Sequence, residues 1–156
     1  RKKFMQAAQQ TFISSTFWTE RIGPTAALKT LEVMEREKSW EQITQIGSNI
    51  SKRWLNLANK YELSINTWGL PALSGYTFNS PNAISYKTLV TQEMLKKGYL
   101  ATNSVYACTE HAQGVVDGYF SVLDPIFATL KDCEEGRDID SLPEGPLCHN
   151  SFRRLN

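Results

Sequence analysis

The sequence predicts an α+β domain in which a small antiparallel sheet carries helices packed on one face. Its 156 residues are 41% hydrophobic and 21% charged, which is typical of one soluble globular domain with a real core. Helical periodicities and short runs of branched or aromatic residues follow one another in the order helix, helix, hairpin, helix, strand, helix. This order favours a small two-layer fold over a doubly wound nucleotide-binding sheet, and the sequence contains no glycine-rich phosphate loop.

Two helices are predicted in the first part of the chain. Pro24 stands where a first helical turn accepts proline, so one helix is expected from about residue 24 to 38. Its apolar residues recur at helical spacing: Ala27, Leu31 and Met34. Ser39 and Gln42 have the form of a capping box and open a second helix. The apolar residues of this second helix are spaced three or four apart throughout: Ile43, Ile46, Ile50, Trp54, Leu57 and Tyr61.

A β-hairpin is predicted next. Residues 63–68 and 73–78 are short runs rich in aromatic and branched side chains, which favour strands. Gly69 and Pro71 lie between them and are expected to form the turn.

The following helix is expected to start at Ser80 and Pro81. It should end where Lys96 and Lys97 precede Gly98, because basic residues suit the negative end of the helix dipole and glycine suits the cap. The sequence then predicts a strand at residues 99–108.

The last clear helix has one continuous apolar face. Its members are Val116, Phe120, Leu123, Phe127 and Leu130. Pro125 lies inside this helix and must remove one backbone hydrogen bond. Turn-forming residues dominate from Gly136 onward, so a surface tail is expected. The predicted organisation is therefore a linking segment at 1–23, a small domain at 24–135 and a tail at 136–156.

The net charge indicates which classes of partner to expect, and the cysteine content indicates the cellular compartment. Seventeen Lys and Arg against sixteen Asp and Glu leave a net charge of +1, which provides no general reason to bind nucleic acid or an anionic membrane. Three irregularly spaced cysteines fit free thiols in a reducing compartment, so the cytoplasm is the expected location. The N-terminus lacks the apolar core of a signal peptide and does not begin with Met, which suggests a processed or truncated chain.

The hydroxyl run Ser14, Ser15 and Thr16 has two interpretations. Hydroxyls before a helix are commonly caps or turn formers. The cap position nearest Pro24 is Gly23, however, so these hydroxyls are available for another role. Hydroxyls with neighbouring backbone N–H groups are a suitable set of uncharged donors for a phosphate monoester.

Glu20 and Arg21, close to Phe17 and Trp18, also have two interpretations. They are either a surface ion pair beside core aromatics or part of a clamp for an anionic group. The sequence does not decide between them.

Metal binding and a catalytic triad are not predicted. Cys108 with His111, and Cys148 with His149, match no familiar zinc spacing. No Ser, Cys or His has an evident base and orienting partner in the sequence, so no catalytic residue is assigned.

Three stretches of the sequence resemble one enzyme family. Residues 12–35, FISSTFWTERIGPTAALKTLEVME, are similar to the segment after the cofactor lysine in class III, fold type I aminotransferases that use pyridoxal 5'-phosphate, especially those close to glutamate-1-semialdehyde 2,1-aminomutase. Residues 93–111, EMLKKGYLATNSVYACTEH, resemble the helix, glycine turn and strand of the family's C-terminal small domain. Residues 115–130, VVDGYFSVLDPIFATL, resemble its last helix.

The resemblance implies a cofactor contact made between subunits. In the family, a threonine in this segment donates to the cofactor phosphate of the partner subunit, and that position falls on Thr16, with Ser15 as a neighbouring candidate. Glu20 and Arg21 are candidate substrate-binding residues. The implied partners are the chain's own large domain, a second identical subunit and a small amine or amino acid substrate.

The resemblance also places the catalytic lysine elsewhere. Family members carry this lysine, the aspartate that pairs with the pyridine nitrogen and the stacking aromatic residue on the large domain, and none of these matches a residue of 1–156. Pyridoxal chemistry needs a lysine Schiff base, so the isolated chain is expected to be inactive.

Two departures from the family leave alternatives open. Many family members have small residues, Asn and Pro after the threonine, whereas this chain has Trp18 to Arg21 there. In addition, the predicted strand at 99–108 has no arginine to bind a substrate carboxylate. The substrate and the choice between a transaminase and an aminomutase therefore stay open. A free-standing binding or scaffold module with the same fold is an alternative of another class.

Overall fold

The computed structural model describes residues 2–10 and 20–149. The elements of the first unit, residues 1–38, are helices α1 (Lys2–Gln9) and α2 (Ile22–Glu37). Those of the second unit, residues 39–156, are α3 (Ser39–Lys60), β1 (Ile65–Leu70), β2 (Leu73–Phe78), α4 (Ala83–Lys96), β3 (Ser104–Tyr106), α5 (Gln113–Glu134) and a 3-10 turn (Ile139–Ser141). The predicted α+β class is confirmed. The predicted domain limits at residues 23 and 135 stay predictions.

The sheet has three antiparallel strands in the order β1-β2-β3. The predicted hairpin is confirmed, but β1 lies two residues later than residues 63–68. Gly69 stays inside the ladder opposite Ser74 with φ +88°, a conformation that glycine adopts without strain. The chain therefore reverses at Pro71 and Ala72 instead.

The core lies between one face of the sheet and helices α3, α4 and α5. Tyr76 of β2 is fully buried, and its ring centroid is 4.9 Å from Trp54 of α3 and 5.4 Å from Phe78. Phe127 of α5 packs on the same aromatic group. Burial of large aromatic side chains stabilises such a layer strongly. Trp54, which belongs to the apolar spacing predicted for this helix, is buried.

The strand predicted at residues 99–108 is wrong in length, because β3 contains only Ser104–Tyr106. Asn103 ends the ladder. Its C=O accepts from the N–H of Tyr76 at 2.9 Å, and its side-chain amide donates to the C=O of Tyr76 at 2.7 Å. A side chain thus provides the bond that a further strand residue would make.

The predicted C-terminus of α4 is confirmed and its predicted start is two residues too early. Gly98 has φ +84° and donates to the C=O of Leu95, while Tyr99 donates to the C=O of Met94 at 3.0 Å. At the other end, Asn82 donates to the Ser80 hydroxyl in a turn before the helix begins at Ala83.

The last helix, α5, runs through Pro125 as predicted, and its apolar face is buried. The segment after Gly136 contributes to the core as well as to the surface, because Ile139 is buried there and Leu142 packs against the same cluster. Helix α1 was not predicted, and α2 begins at Ile22, two residues before Pro24. Across the described ranges, no helix is both long and apolar enough to cross a bilayer.

Candidate functional site

The predicted phosphate-contact residues, Ser15 and Thr16, lie outside the described residues, as do Ser14, Phe17 and Trp18. The structure resumes at Glu20. Glu20, Arg21 and the start of α2 are therefore the described part of the candidate site.

The carboxylate of Glu20 caps helix α2. One oxygen accepts from the backbone N–H of Ile22 and the other from the N–H of Gly23, both at 2.6 Å. The first N–H groups of a helix have no partner inside the helix and carry partial positive charge, so a carboxylate there is favourable. Glu20 consequently provides the side-chain acceptors for the first two N–H groups of α2.

Arg21 is the N-cap residue of α2 by backbone position, and its side chain is exposed. Its side chain forms no capping hydrogen bond. A guanidinium offers five donors in a planar fork that matches a carboxylate or a phosphate. The structure thus brings Glu20 and Arg21 together at one helix start, where the carboxylate serves the helix and the cation faces solvent.

Helix α2 buries none of its residues within the described part of the chain. Leu28, Leu31 and Met34 follow helical spacing, and all three are exposed. Local interactions support the helix, including an ion pair of 2.7 Å between Lys29 and Glu32.

Three lysines of the second unit are held as cations by carboxylates. The pKa of Lys60 is raised by a hydrogen bond to Asp124. The pKa of Lys96 is raised by hydrogen bonds to Glu144 and, to a smaller extent, to Glu93. The pKa of Lys131 is raised in the same way by Glu62 and then by Glu135. A lysine that forms a Schiff base needs the opposite shift, because only the neutral amine is nucleophilic. These three side chains are therefore suited to ion pairing.

The cysteines of the two Cys-His pairs make different contacts. The N–H of Cys108 donates to His111 Nδ1 at 3.2 Å, and the N–H of His111 donates back to the C=O of Cys108. The N–H of Cys148 donates to the hydroxyl of Thr88 at 3.0 Å. Within residues 2–10 and 20–149, no group of three or more His, Cys, Asp or Glu side chains is placed to hold a metal ion.

Tyr119, a half-buried residue of α5, lines a cavity of about 160 Å³ in the second unit. Trp54 Nε1 donates to the hydroxyl of Tyr119 at 3.0 Å, and burial raises the pKa of Tyr119 to about 12. The hydroxyl of Tyr76 is also buried, and no described group bonds to it. Both phenols stay protonated at neutral pH, so their contribution is to packing and hydrogen bonding.

Comparisons with known proteins show one similarity in sequence and one in fold. No protein-family model matches the chain. Over 93 residues the chain is 29% identical to the 3-aminobutyryl-CoA aminotransferase of Cloacimonas acidaminovorans (strain Evry), a match that covers 59% of this chain and 22% of that protein.

A solved structure has the same fold. This is the FumI protein of Sphingopyxis sp. MTA144, described as its PLP internal aldimine form, with a TM-score of 0.72 and 16% identity. The match covers 86% of this chain and 33% of FumI. The chain thus spans about a fifth of the curated relative and a third of the solved protein. The structural similarity shows the fold, and the sequence similarity to an aminotransferase extends over 93 residues.

The sequence reasoning missed the capping role of Glu20. The signal was present, because an acidic residue directly before a helix start is favoured by the dipole. The sequence predicts a helix that starts at Pro24, however, and Glu20 lies outside the first turn of that predicted helix.

Proposed function

We propose that this chain is the C-terminal small domain of a class III aminotransferase that uses pyridoxal 5'-phosphate and transfers an amino group between an amine or amino acid and a keto or aldehyde acceptor. The observation that carries the proposal is the agreement of two comparisons, since the sequence similarity is to an aminotransferase and the fold similarity is to a PLP-bound protein. The division into residues 1–23, 24–135 and 136–156 belongs to the same proposal.

The chemistry of the donor set fits the cofactor's phosphate. Thr16 and Ser15 provide hydroxyl and backbone N–H donors just ahead of α2. The first amides of α2 are already bonded to Glu20, so the phosphate would depend on these earlier donors. When bound, pyridoxal phosphate supplies the electron sink for carbanion chemistry at the substrate.

The residues of this chain have binding roles in the proposal. Thr16, with Ser15, holds the phosphate of the cofactor in the partner subunit of a dimer. Arg21 offers its exposed guanidinium to a carboxylate of the substrate, and Glu20 fixes the helix start beside it. The lysine that forms the Schiff base belongs to the large domain, so residues 1–156 alone are inactive.

Amino transfer between two substrates is favoured over an aminomutase because the similar curated protein is named an aminotransferase. The resemblance of residues 12–35 to glutamate-1-semialdehyde 2,1-aminomutase keeps the aminomutase as the alternative. Release of a keto product by the intact enzyme separates the two. A non-catalytic binding module remains the alternative of another class.

Reductive labelling tests the location of the cofactor lysine. The 156-residue chain and the longer polypeptide of the natural gene are each incubated with pyridoxal phosphate, reduced with borohydride and digested. We expect one strongly labelled lysine in the longer polypeptide, outside residues 1–156, and weak labelling scattered over exposed lysines in the short chain. One dominant labelled lysine within residues 1–156 would contradict the proposal.

Substitution of Thr16 tests the phosphate contact. In the intact enzyme, Thr16→Val should raise the Kd for pyridoxal phosphate by about tenfold or more, because a hydrogen bond to a charged group contributes about 1.5–3 kcal/mol. Thr25→Val, which removes an exposed hydroxyl of α2, is the matched control. Equal Kd values for the two variants would show that Thr16 does not contact the cofactor phosphate.

Mixed dimers test whether the contact is made between subunits. Subunits with Thr16→Val are combined with subunits that lack the cofactor lysine, so that a contact in trans restores one complete site per mixed dimer. At a pyridoxal phosphate concentration that leaves most Thr16→Val sites empty, we expect the mixture to be more active than the average of its two components. A contact within one subunit would leave the activity of the mixture at that average.

A further inference from the structure

The cavity beside Tyr119 lies at one margin of the core of the second unit. Helix α3 contributes Ile50 and Trp54 to its lining, and α5 contributes Val116 and Tyr119. The rest of the wall comes from the stretch that leads from α4 into β3, and residues 99–103 of this stretch lie outside the ladder. The cavity is therefore bounded by two helices and an irregular segment of chain.

Tyr99 fixes the position of this irregular wall. Its N–H donates to the C=O of Met94 at 3.0 Å, and its ring centroid lies 6.3 Å from that of Tyr119 in an edge-to-face arrangement. Its hydroxyl approaches α5 at Gly118, where a Cβ atom would lie only 2.8 Å from the phenol oxygen. The wall is thus held by contacts within the chain, as expected of a largely preformed binding pocket.

The size and lining of the cavity suit one small apolar ring. Its volume is about 160 Å³, and an apolar cavity of about 150 Å³ in an engineered protein binds benzene. Ile50, Trp54 and Val116 are buried members of the core that line it. A ring-sized molecule would therefore exchange water for contact with apolar side chains.

The charge of the lining indicates a neutral occupant. Among the described residues, no Asp, Glu, Lys or Arg lines the cavity. An ion that entered would lose its water without gaining a partner of opposite charge. The polar side chains of the lining are Ser104, His111 and Tyr119.

Two of these polar side chains offer hydrogen-bond donors. The hydroxyl of Tyr119 accepts from Trp54 Nε1 at 3.0 Å, and no described group accepts the phenol's own proton, since the neighbouring hydroxyl of Tyr76 has no partner either. His111 accepts from the N–H of Cys108 through Nδ1, so its neutral ring carries the proton on Nε2. The polar lining therefore calls for a ligand that accepts hydrogen bonds.

We propose that this cavity binds a small neutral carbonyl compound with an apolar ring. The carbonyl oxygen accepts the proton of the Tyr119 hydroxyl, and the ring packs on Ile50 and Val116. This inference goes beyond the proposed function and does not depend on it.

Nuclear magnetic resonance of the indole N–H of Trp54 tests the site, because this group donates to Tyr119 in the cavity lining. The 156-residue chain is labelled with nitrogen-15 and titrated with cyclohexanone, and the Trp54 signal is assigned by its loss in Trp54→Phe. We expect a saturable shift of that signal with a Kd on the order of 1 mM. The signals of the exposed Trp40 and Trp68 should not saturate. A Trp54 signal that drifts linearly or does not move would overturn the proposal.

Removal of one hydroxyl tests the hydrogen bond. Toluene has the size of cyclohexanone without the acceptor oxygen, and it is titrated in parallel. Tyr119→Phe should raise the Kd for cyclohexanone about fivefold and leave that for toluene unchanged. Tyr61→Phe is the matched control, because the hydroxyl of Tyr61 is bonded to Asp124 outside the cavity lining. An unchanged Kd for cyclohexanone in Tyr119→Phe would overturn the proposal, as would an equal loss for both compounds.

Filling of the cavity tests its location. Ala101→Leu adds apolar volume to the irregular wall and should abolish the saturable shift with both compounds. Val115→Phe places the added volume at a half-exposed position of the lining, where the fold tolerates a larger side chain more readily. Ala107→Leu is the control, since Ala107 is also half-buried and does not line the cavity. Binding that persists in both filled variants would overturn the proposal.

Discussion

Helices α2 and α3 follow each other directly in the chain, and both repeat apolar residues at helical spacing. Five residues of α3 are buried, among them Ile50, Trp54 and Leu57, whereas α2 buries none in the part of the chain that the structure describes. The apolar pattern therefore indicates which face of a helix would be buried. It does not indicate whether the same chain supplies the surface that buries it.

The two helices consequently depend on different interactions. Helix α3 is stabilised by packing on the sheet and on α5, where Arg53 also pairs with Asp117 at 2.5 Å. Helix α2 relies on its cap and on local side-chain pairs, which stabilise an isolated helix only slightly.

Truncation of one apolar side chain should lower the free energy of unfolding far more in α3 than in α2. Trp54→Ala is expected to lower the free energy of unfolding by about 3–5 kcal/mol, because it opens a cavity in the aromatic core. Leu31→Ala, at an exposed position of α2, should change it by less than about 0.5 kcal/mol. Urea unfolding followed by circular dichroism measures both. Similar losses would mean that α2 is packed as tightly as α3.

Removal of the Glu20 cap should affect α2 alone. Glu20→Ala should cost about 1 kcal/mol of local helix stability, because the N–H groups of Ile22 and Gly23 lose their acceptor. Hydrogen exchange of the first turn of α2 should become faster, while the amides of α3 keep their rates. Glu35→Ala, an exposed position in the last turns of α2, is the control. Faster exchange in both variants would contradict a specific capping role of Glu20.

Removal of the hydroxyl should change the free energy of unfolding in opposite directions at two buried tyrosines, Tyr86 and Tyr76. Tyr86 donates to Glu134 at 2.8 Å, so Tyr86→Phe should lower the free energy of unfolding by about 1 kcal/mol. Among the described residues, no group bonds to the hydroxyl of Tyr76, so Tyr76→Phe should raise it by up to about 1 kcal/mol. Chemical unfolding of the two variants decides the point. A loss of stability in Tyr76→Phe would reveal a partner for that hydroxyl.

Asp124 should contribute to the acid sensitivity of the core. Lys60, and then Tyr61, donate hydrogen bonds that lower the pKa of Asp124 below its ordinary value. The stability that results is present above the pKa of the unfolded state and is lost as the pH falls through the lower folded value. Asp124→Asn should therefore flatten the decline in unfolding free energy below pH 5, and Lys60→Met should reproduce most of that change. An unaltered acid limb in both variants would contradict the role of this pair.

Local periodicity explains why much of the fold could be predicted from the sequence. Helices α3 and α5, the hairpin and the Gly98 cap depend on residues a few positions apart, and their spacing is visible in the chain. The extent of β3 could not be predicted, because the side chain of Asn103 ends the ladder by bonding to Tyr76, a residue distant in sequence. The burial of Ile139 likewise depends on where the core lies.

The features of the candidate site also fall into those that could be predicted from the sequence and one that required the structure. Residue types alone leave two interpretations each for the hydroxyl run and for the pair Glu20 and Arg21. The family resemblance assigns Thr16 and Ser15 to the cofactor phosphate, and these binding roles remain predictions. The capping of α2 by Glu20 required coordinates, because it depends on where the helix begins.

The helical periods, the turn residues and the α+β class could be predicted from the sequence, because they follow from local conformational preference and from the spacing of apolar side chains. Which apolar faces are covered depends on tertiary packing. Tyr76 and Leu73 belong to the same strand, yet the first is buried under three helices and the second lies on the opposite face of the sheet. Pairing across strands and packing between layers join residues far apart in sequence, so neither is visible in a local pattern.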